Sequence, residues 1–329
     1  LHFRRLRLKR ELDGPDAAAA LYRPPPPGVD EFRGGVLASL AMLGEDDLQQ
    51  RRSVLTFAVE REPDSPYWRI ALAEVHLAAH EVVVERAGNE RELGRIQGSE
   101  ALYAEALELL DRARAEARVA ADLDGEFAEA ALMLGYIETC YADLEPRMEE
   151  RDARREEAER HYTRALELDA ESLPALLNLA ENLLYFDRYG EAARTLERAV
   201  AIAPAEPLVW NNLGYAYYSA GRLQEARACY AEALRVGGGD PRIRAALGDV
   251  LQQLGDLDRA LEEFEGARAG TGGDAALHAQ ITFKIAAIHE HEERYPEAIA
   301  EYRRYIDLGG RDTAKAESRI RRIYSGAYE

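Results

Sequence analysis

The 329-residue sequence predicts an all-α fold, an α-solenoid of stacked helical hairpins, and three observations carry that reading. Residue types recur in phase every 34 positions, as in Ala180, Gly214 and Gly248, or Leu179, Leu213 and Leu247. The same spacing links Ala192, Ala226 and Ala260, then Leu196, Tyr230 and Phe264, then Ala199, Ala233 and Ala267. Turn-forming triplets fall inside each unit, at Tyr189-Gly190-Glu191, Gly221-Arg222-Leu223 and Gly255-Asp256-Leu257. Small residues stand where two helices must approach closely, and an aromatic fills the gap beside each. One such hairpin cannot bury its apolar stripe alone, so neighbours stack.

The elements follow in order. Residues 1–33 do not fit the pattern and read as an arm or linker. LHFRRLRLKR, residues 1–10, carries five positive charges and no negative ones, so the rest of the chain sums to −24 against −19 for the whole. RPPPPG at 23–28 favours extended polyproline geometry and no helix. The chain begins at Leu1, which reads as a missing native N-terminus, so a leader or membrane anchor ahead of it is an open alternative. Residues 34–172 form irregular, long-helix hairpins: a degenerate first one over 34–63, then a long pair near 66–87 and 98–122. Asp124-Gly125-Glu126-Phe127 bounds the next pair, whose helices carry Leu134-Gly135 and then Ala158, Tyr162 and Ala165. Residues 173–310 hold the regular repeats, with units starting near Leu173, Pro207 and Pro241 and a fourth marked by Ile285, Ala286, Ala298 and Tyr302. The segment 311–329 supplies a capping helix and tail, with Ala316, Ile320 and Ile323 inward. The expected total is six or seven hairpins plus the cap.

In the 207 unit, Trp210, Leu213, Gly214, Tyr217, Ala226, Tyr230 and Ala233 stand in the order Trp-x2-Leu-Gly-x2-Tyr, then Ala-x3-aromatic-x2-Ala, and Pro204 closes the unit before. On these residues, and on three in-phase copies, the chain resembles the tetratricopeptide repeat (TPR) family. The resemblance implies a right-handed superhelix with peptides bound along a concave groove lined by the first helix of each repeat.

The core-facing residues of the first 207-unit helix leave a second stripe: Leu208, Asn211, Asn212, Tyr215, Tyr218 and Ser219. The resemblance makes that stripe the groove. Equivalent places add Asn178, Glu181, Leu184 and Tyr185 before it, then Arg242, Asp249, Gln252 and Gln253, then Gln280, Phe283, Lys284 and Glu290. The candidate binding residues are therefore Asn178, Tyr185, Asn211, Asn212, Tyr215, Tyr218, Arg242 and Lys284. An Asn amide can donate to and accept from a peptide backbone at once, and Tyr offers contact area at little rotamer cost. Some family members clamp acidic chaperone tails with basic and Asn residues. Asn212 and Arg242 match that clamp, but Leu177, Glu181 and Ala246 depart from it.

Other chemistry is weakly represented. His76 and His80 are spaced i, i+4, yet no Glu lies between them as a zincin requires, so they read as helix-surface or groove positions. His289 and His291 face different sides of their helix. GGGD at 237–240 and GTGGD at 270–274 lack the Lys-Ser/Thr of a phosphate loop and read as turns between repeats. The sign-alternating run 147–160 reads as solvated ion pairs. Cys140 and Cys229 read as small buried thiols. No catalytic constellation, metal site or cofactor is expected. The net charge of −19 argues against duplex nucleic acid and for a basic or neutral ligand over an acidic one. Three lysines against 39 arginines suggest a GC-rich bacterial genome.

The sequence thus predicts a non-catalytic scaffold or adaptor that binds a protein or peptide in its groove. Two alternatives stand beside it: self-assembly through the basic arm, and the soluble part of a membrane-anchored or larger polypeptide. The cytoplasm is favoured as the location.

Overall fold

A computed structural model describes Leu40 and residues 47–326. Fourteen α-helices lie between Leu48 and Ser325, and there is no strand among the described residues. The basic and proline-rich segment 1–33 and most of the expected first helix of the 34–63 hairpin fall outside the described residues. The chain forms two compact units, divided between Asn182 and Leu183.

The first unit contains α1 (Leu48–Arg61), α2 (Pro66–Glu92), α3 (Ile96–Leu123), α4 (Ala128–Leu144) and α5 (Met148–Leu168), and includes the start of α6 (Leu173–Tyr185). α2 and α3 have 27 and 28 residues, so each is about 40 Å long. They can pack closely because α3 turns Ala106, Ala113, Ala117 and Ala120 inward, all fully buried. Leu77, Leu110, Ile137 and Tyr141 complete the core shared by α2, α3 and α4. A smaller core joins α1 to the start of α2 through Leu55, Ala58, Trp68 and Leu72. His76 and His80 belong to this interior. Both are buried, which corrects their reading as surface positions. His80 Nδ1 lies 3.0 Å from the Ala106 carbonyl; a carbonyl can only accept, so Nδ1 carries the proton.

The second unit runs from Leu183 through α7 (Tyr189–Ile202), α8 (Pro207–Ser219), α9 (Leu223–Gly237), α10 (Pro241–Gln253), α11 (Leu257–Ala269), α12 (Ala275–His291), α13 (Tyr295–Asp307) and α14 (Thr313–Ser325). Pro207 and Pro241 start their helices at the position where a missing N–H costs nothing. Asp240, Asp274 and Asp312 cap α10, α12 and α14 by accepting from Arg242, Leu277 and Lys315 backbone N–H groups. The runs 237–240 and 270–274 are these turns.

The repeat spacing is enforced by contact. A Cβ on Gly214 would stand 2.9 Å from the Tyr230 ring, and one on Gly248 would stand 2.7 Å from Phe264. Each hairpin turn closes with the same pair of bonds. Arg222 N–H donates to the Tyr217 carbonyl at 2.8 Å and Gly221 N–H to that of Tyr218 at 3.0 Å. The matching turns put Asp187, Gly255 and Glu293 in the left-handed region, with φ of 57°, 81° and 60°. This corrects the expected turn at Tyr189-Gly190-Glu191. Gly190 lies inside α7, and Asp187, in the period of Gly221, makes the turn because a short polar side chain tolerates that conformation. The cap, α14, turns Ala316 into a core with Ala286, Ala298, Tyr302 and Tyr305.

Candidate functional site

The candidate groove stripe of α8 begins from its spacing. Asn211, Asn212, Tyr215 and Tyr218 share one helix face, because residues three and four apart are surface neighbours. The opposite face is committed to packing: Val209, Leu213, Gly214 and Tyr217 are buried. Tyr217 also donates its hydroxyl to Glu197, and Arg222 lies 4.4 Å above its ring. Burial, with that carboxylate, pushes the Tyr217 hydroxyl up to about 12. Trp210, expected as a packing residue, is half-buried and donates its indole N–H to the Pro204 carbonyl at 2.8 Å, tying α8 to the preceding loop.

On that stripe, Tyr215 is 50% exposed. Asn211 donates its amide to Asn212 Oδ1 at 3.4 Å. Gln253 on α10 donates to the Tyr218 hydroxyl at 2.5 Å, which carries the face from one repeat to the next. Partial burial raises the Tyr218 hydroxyl, and Asp249 nearby adds to it. Lys284 on α12 holds both carboxylate oxygens of Asp249, 2.5 Å from Oδ2. Arg242 bonds Asp274 at 2.9 Å. The two cations among the candidate binding residues, Arg242 and Lys284, are thus already paired with acids.

The structure brings Asn211, Asn212, Tyr215 and Tyr218 together with Asp249, Gln253 and Lys284. Tyr185 also lies in the second unit, 36% exposed, its ring edge-on to Phe186 at 5.0 Å. Asn178 lies in the first unit, half-buried on α6. Two expected groove positions are consumed by packing. Phe283 sits edge-on against Tyr302 and Tyr305, and Glu290 is buried beneath the cap. Glu290 accepts from Tyr302, from Arg319 at 3.3 Å and from Arg322 at 2.7 Å. Burial opposes its charge, but these three donors outweigh burial and hold the carboxyl below its ordinary range.

The first unit treats the corresponding face differently. With Leu134-Gly135 in the place of Leu213-Gly214, Tyr136 stands where Tyr215 stands. Tyr136 is 9% exposed, and its hydroxyl donates to Glu81 of α2 at 3.0 Å. Ten consecutive residues of α4, Met133–Ala142, are buried. Among them is a charge that sequence reasoning missed. Glu138 accepts from Arg154 at 2.6 Å and faces Arg114 at 3.7 Å, and those two guanidiniums flank the Tyr141 ring at 4.7 and 4.6 Å. Arg155, 3% exposed, pairs with Asp143. The run 147–160 is therefore only partly solvated decoration. The signal was Glu138 itself, an acid at the repeat position that Tyr217 and Leu251 fill.

Comparison with known proteins follows from this geometry. Tetratricopeptide repeat models match residues 151–213, 183–250 and 245–313. The chain belongs to the tetratricopeptide repeat family. Residues of this TPR protein are 30% identical over 105 positions to the general transcriptional corepressor trfA of Dictyostelium discoideum, a match covering 31% of this chain and 8% of that protein. Its fold is similar to a chain of the APC/C hetero-tetramer Cut9–Hcn1, with a TM-score of 0.54 and 15% identity over 96% of this chain and 53% of that one. It is also similar to pilF of Pseudomonas aeruginosa, with a TM-score of 0.50 and 18% identity over 74% of this chain and 98% of that one. These likenesses show an all-α helical-repeat solenoid. TPR arrays are protein–protein interaction scaffolds, and the fold is typically non-catalytic. No described helix is long and apolar enough to cross a membrane.

Proposed function

We propose that this TPR protein is a non-catalytic adaptor that captures a peptide segment of a protein partner in its concave groove, on the face of α8 that carries Asn211, Asn212, Tyr215 and Tyr218. The observation carrying this reading is the contrast between equivalent tyrosines. Tyr136 is covered by the chain's own α2, whereas Tyr215 is half exposed among Asn211, Asn212 and Tyr218. Tyrosine next to amide side chains suits a peptide, giving area with little rotamer loss and donors for main-chain carbonyls. The ligand is basic or neutral. The chain carries −19, and Arg242 and Lys284 are occupied by Asp274 and Asp249, so an acidic ligand would have to displace those carboxylates.

The test is to change Asn212, Tyr215 and Tyr218 together to Ala and to compare copurifying partners with those of the unsubstituted chain. The expected result is loss of the partner with an unchanged thermal midpoint. Retention of the partner by a folded triple variant overturns the reading.

A further inference from the structure

We propose that the second unit binds a small carboxylate carrying an apolar group, in a cavity between the start of α12 and the loop leading into α14. The cavity follows from a break in the repeat. Ala286 stands 38 positions after Gly248, not 34, and α12 has 17 residues where α8 and α10 have 13 each. The added residues give α12 an extra first turn, 275–278, that α8 and α10 lack. Near this turn the chain reverses at Gly309, with φ of 68°, before entering α14. The Gly310 backbone lies so close to the Tyr305 ring that a Cβ there would collide with Cζ. Between the extra turn and the loop is a cavity of about 200 Å³. Pockets for drug-sized molecules span about 300–1,000 Å³, so this one suits a ligand of a few heavy atoms.

The walls divide by chemistry. Ala275, Ala276, Ala279 and Leu308 give an apolar side. The polar side offers donors. Tyr305, which lines the cavity, is 6% exposed; its hydroxyl oxygen accepts the Asp312 N–H at 2.9 Å, and its own proton has no acceptor among the described residues. A buried donor without an acceptor is costly, and a ligand oxygen relieves that cost. Arg311 is exposed on the loop and forms no ion pair with a described acid. Gln280 adds an exposed amide. The neighbouring acids are engaged: Asp274 with Arg242 and the Leu277 N–H, and Asp312 with the Lys315 N–H. Residues 303–322 carry seven basic side chains against three acids, so the local field favours an anion although the whole chain sums to −19. A carboxylate only accepts, and a guanidinium binds it through charge-assisted bonds. A phosphate would turn uncompensated oxygens toward the alanines and Leu308, whereas a short aliphatic group covers them. Two sources carry this chemistry: a free aliphatic acid and the C-terminal residue of a protein.

The probes are 4-methylpentanoate, N-acetyl-leucine and N-acetyl-leucinamide, each titrated into the full chain by ligand-observed NMR. At least one of the two acids should bind saturably, and the amide, which lacks the carboxylate, about tenfold more weakly than that acid. Arg311→Gln should weaken acid binding about tenfold. Tyr305→Phe should weaken it several-fold, and Ala276→Leu, which fills the cavity, should abolish it. Arg311 and Ala276 are exposed, so circular dichroism and thermal midpoint should not change in those two variants. Tighter binding of 4-methylpentanoate than of N-acetyl-leucine assigns the site to free acids; N-acetyl-leucine bound as tightly or more tightly admits protein chain ends. No saturable binding, an amide bound as tightly as the acids, or indifference to Arg311→Gln, Tyr305→Phe or Ala276→Leu in the folded variants overturns the proposal. The α8 stripe takes no part in this site, so peptide capture stands or falls separately.

Discussion

Tyr136 donates its hydroxyl to Glu81 across 3.0 Å and so fastens α2 over the face of α4. At the matching place on α8, Tyr215 is 50% exposed among the described residues. The bond sits in a nearly buried setting, so Tyr136→Phe should cost about 1 kcal/mol. Tyr215→Phe should change stability by less than about 0.5 kcal/mol. Urea unfolding of the two variants checks the contrast; equal costs would mean that the two faces are not differently employed.

Gly248 carries a second prediction. Helix propensity alone says that Gly248→Ala should stabilise by about 1 kcal/mol. The added Cβ would stand 2.7 Å from the Phe264 ring, and overpacking costs about 1–3 kcal/mol. Packing wins, so the substitution should lower the thermal midpoint. Combining it with Phe264→Leu should recover part of the loss if the ring is the cause.

Glu293 turns the same logic around. It holds φ 60° at the turn position that Gly221 and Gly255 fill elsewhere. A side chain with a Cβ is strained there by about 1 kcal/mol, so Glu293→Gly should raise stability by up to that amount. Asp187→Gly should gain less, because Asp187 also accepts the Tyr189 hydroxyl. Differential scanning calorimetry of both variants measures the difference.

The buried histidines set an acid limit. His76 is lowered from 6.5 mainly by burial, with Arg112 and Arg52 adding to it against Glu116. His80 is lowered mainly by burial, against its bond to Ala106 and the charge of Asp143. Both are neutral in the fold, and the unfolded chain takes up their protons first. Their contribution is therefore complete above about pH 6.5 and is lost as pH falls below it. Unfolding followed from pH 7.5 to 5 should show this slope, and His80→Gln should flatten it. Flat stability over that range in the unsubstituted chain refutes the assignment.

Glu290 acts at lower pH. Its carboxyl is held below the ordinary range by Tyr302, Arg322 and Arg319, so its stabilisation is present above the unfolded carboxylate value and disappears as pH drops through the folded one. Glu290→Gln should remove that acid dependence and loosen α14, because Arg319 and Arg322 lose their shared partner. Hydrogen exchange in Thr313–Ser325 measures it.

The repeat register of the second unit was legible because packing there is local and periodic. Gly214 with Tyr230, and Gly248 with Phe264, follow from a 34-residue count. The turn at Asp187 was not, because the glycine beside it, Gly190, is the stronger local signal, and only the backbone bonds identify the residue that reverses the chain. His76 and His80 were misplaced for a related reason. The long α2 is buried on more faces than an amphipathic stripe suggests, since α1, α3 and α4 all pack on it.

By itself the sequence determined the hairpin repeat, the positions of closest helix approach and the stripe holding Asn211, Asn212, Tyr215 and Tyr218. Those depend on spacing along one chain. The tertiary structure decided that Tyr136 is buried under α2 while Tyr215, at the matching place, is half exposed among the described residues. It also decided which charges are already spent, as with Lys284 on Asp249 and Glu290 under Arg319 and Arg322. Both depend on which side chain arrives from another helix, and a residue's own period carries no record of its neighbour across the fold.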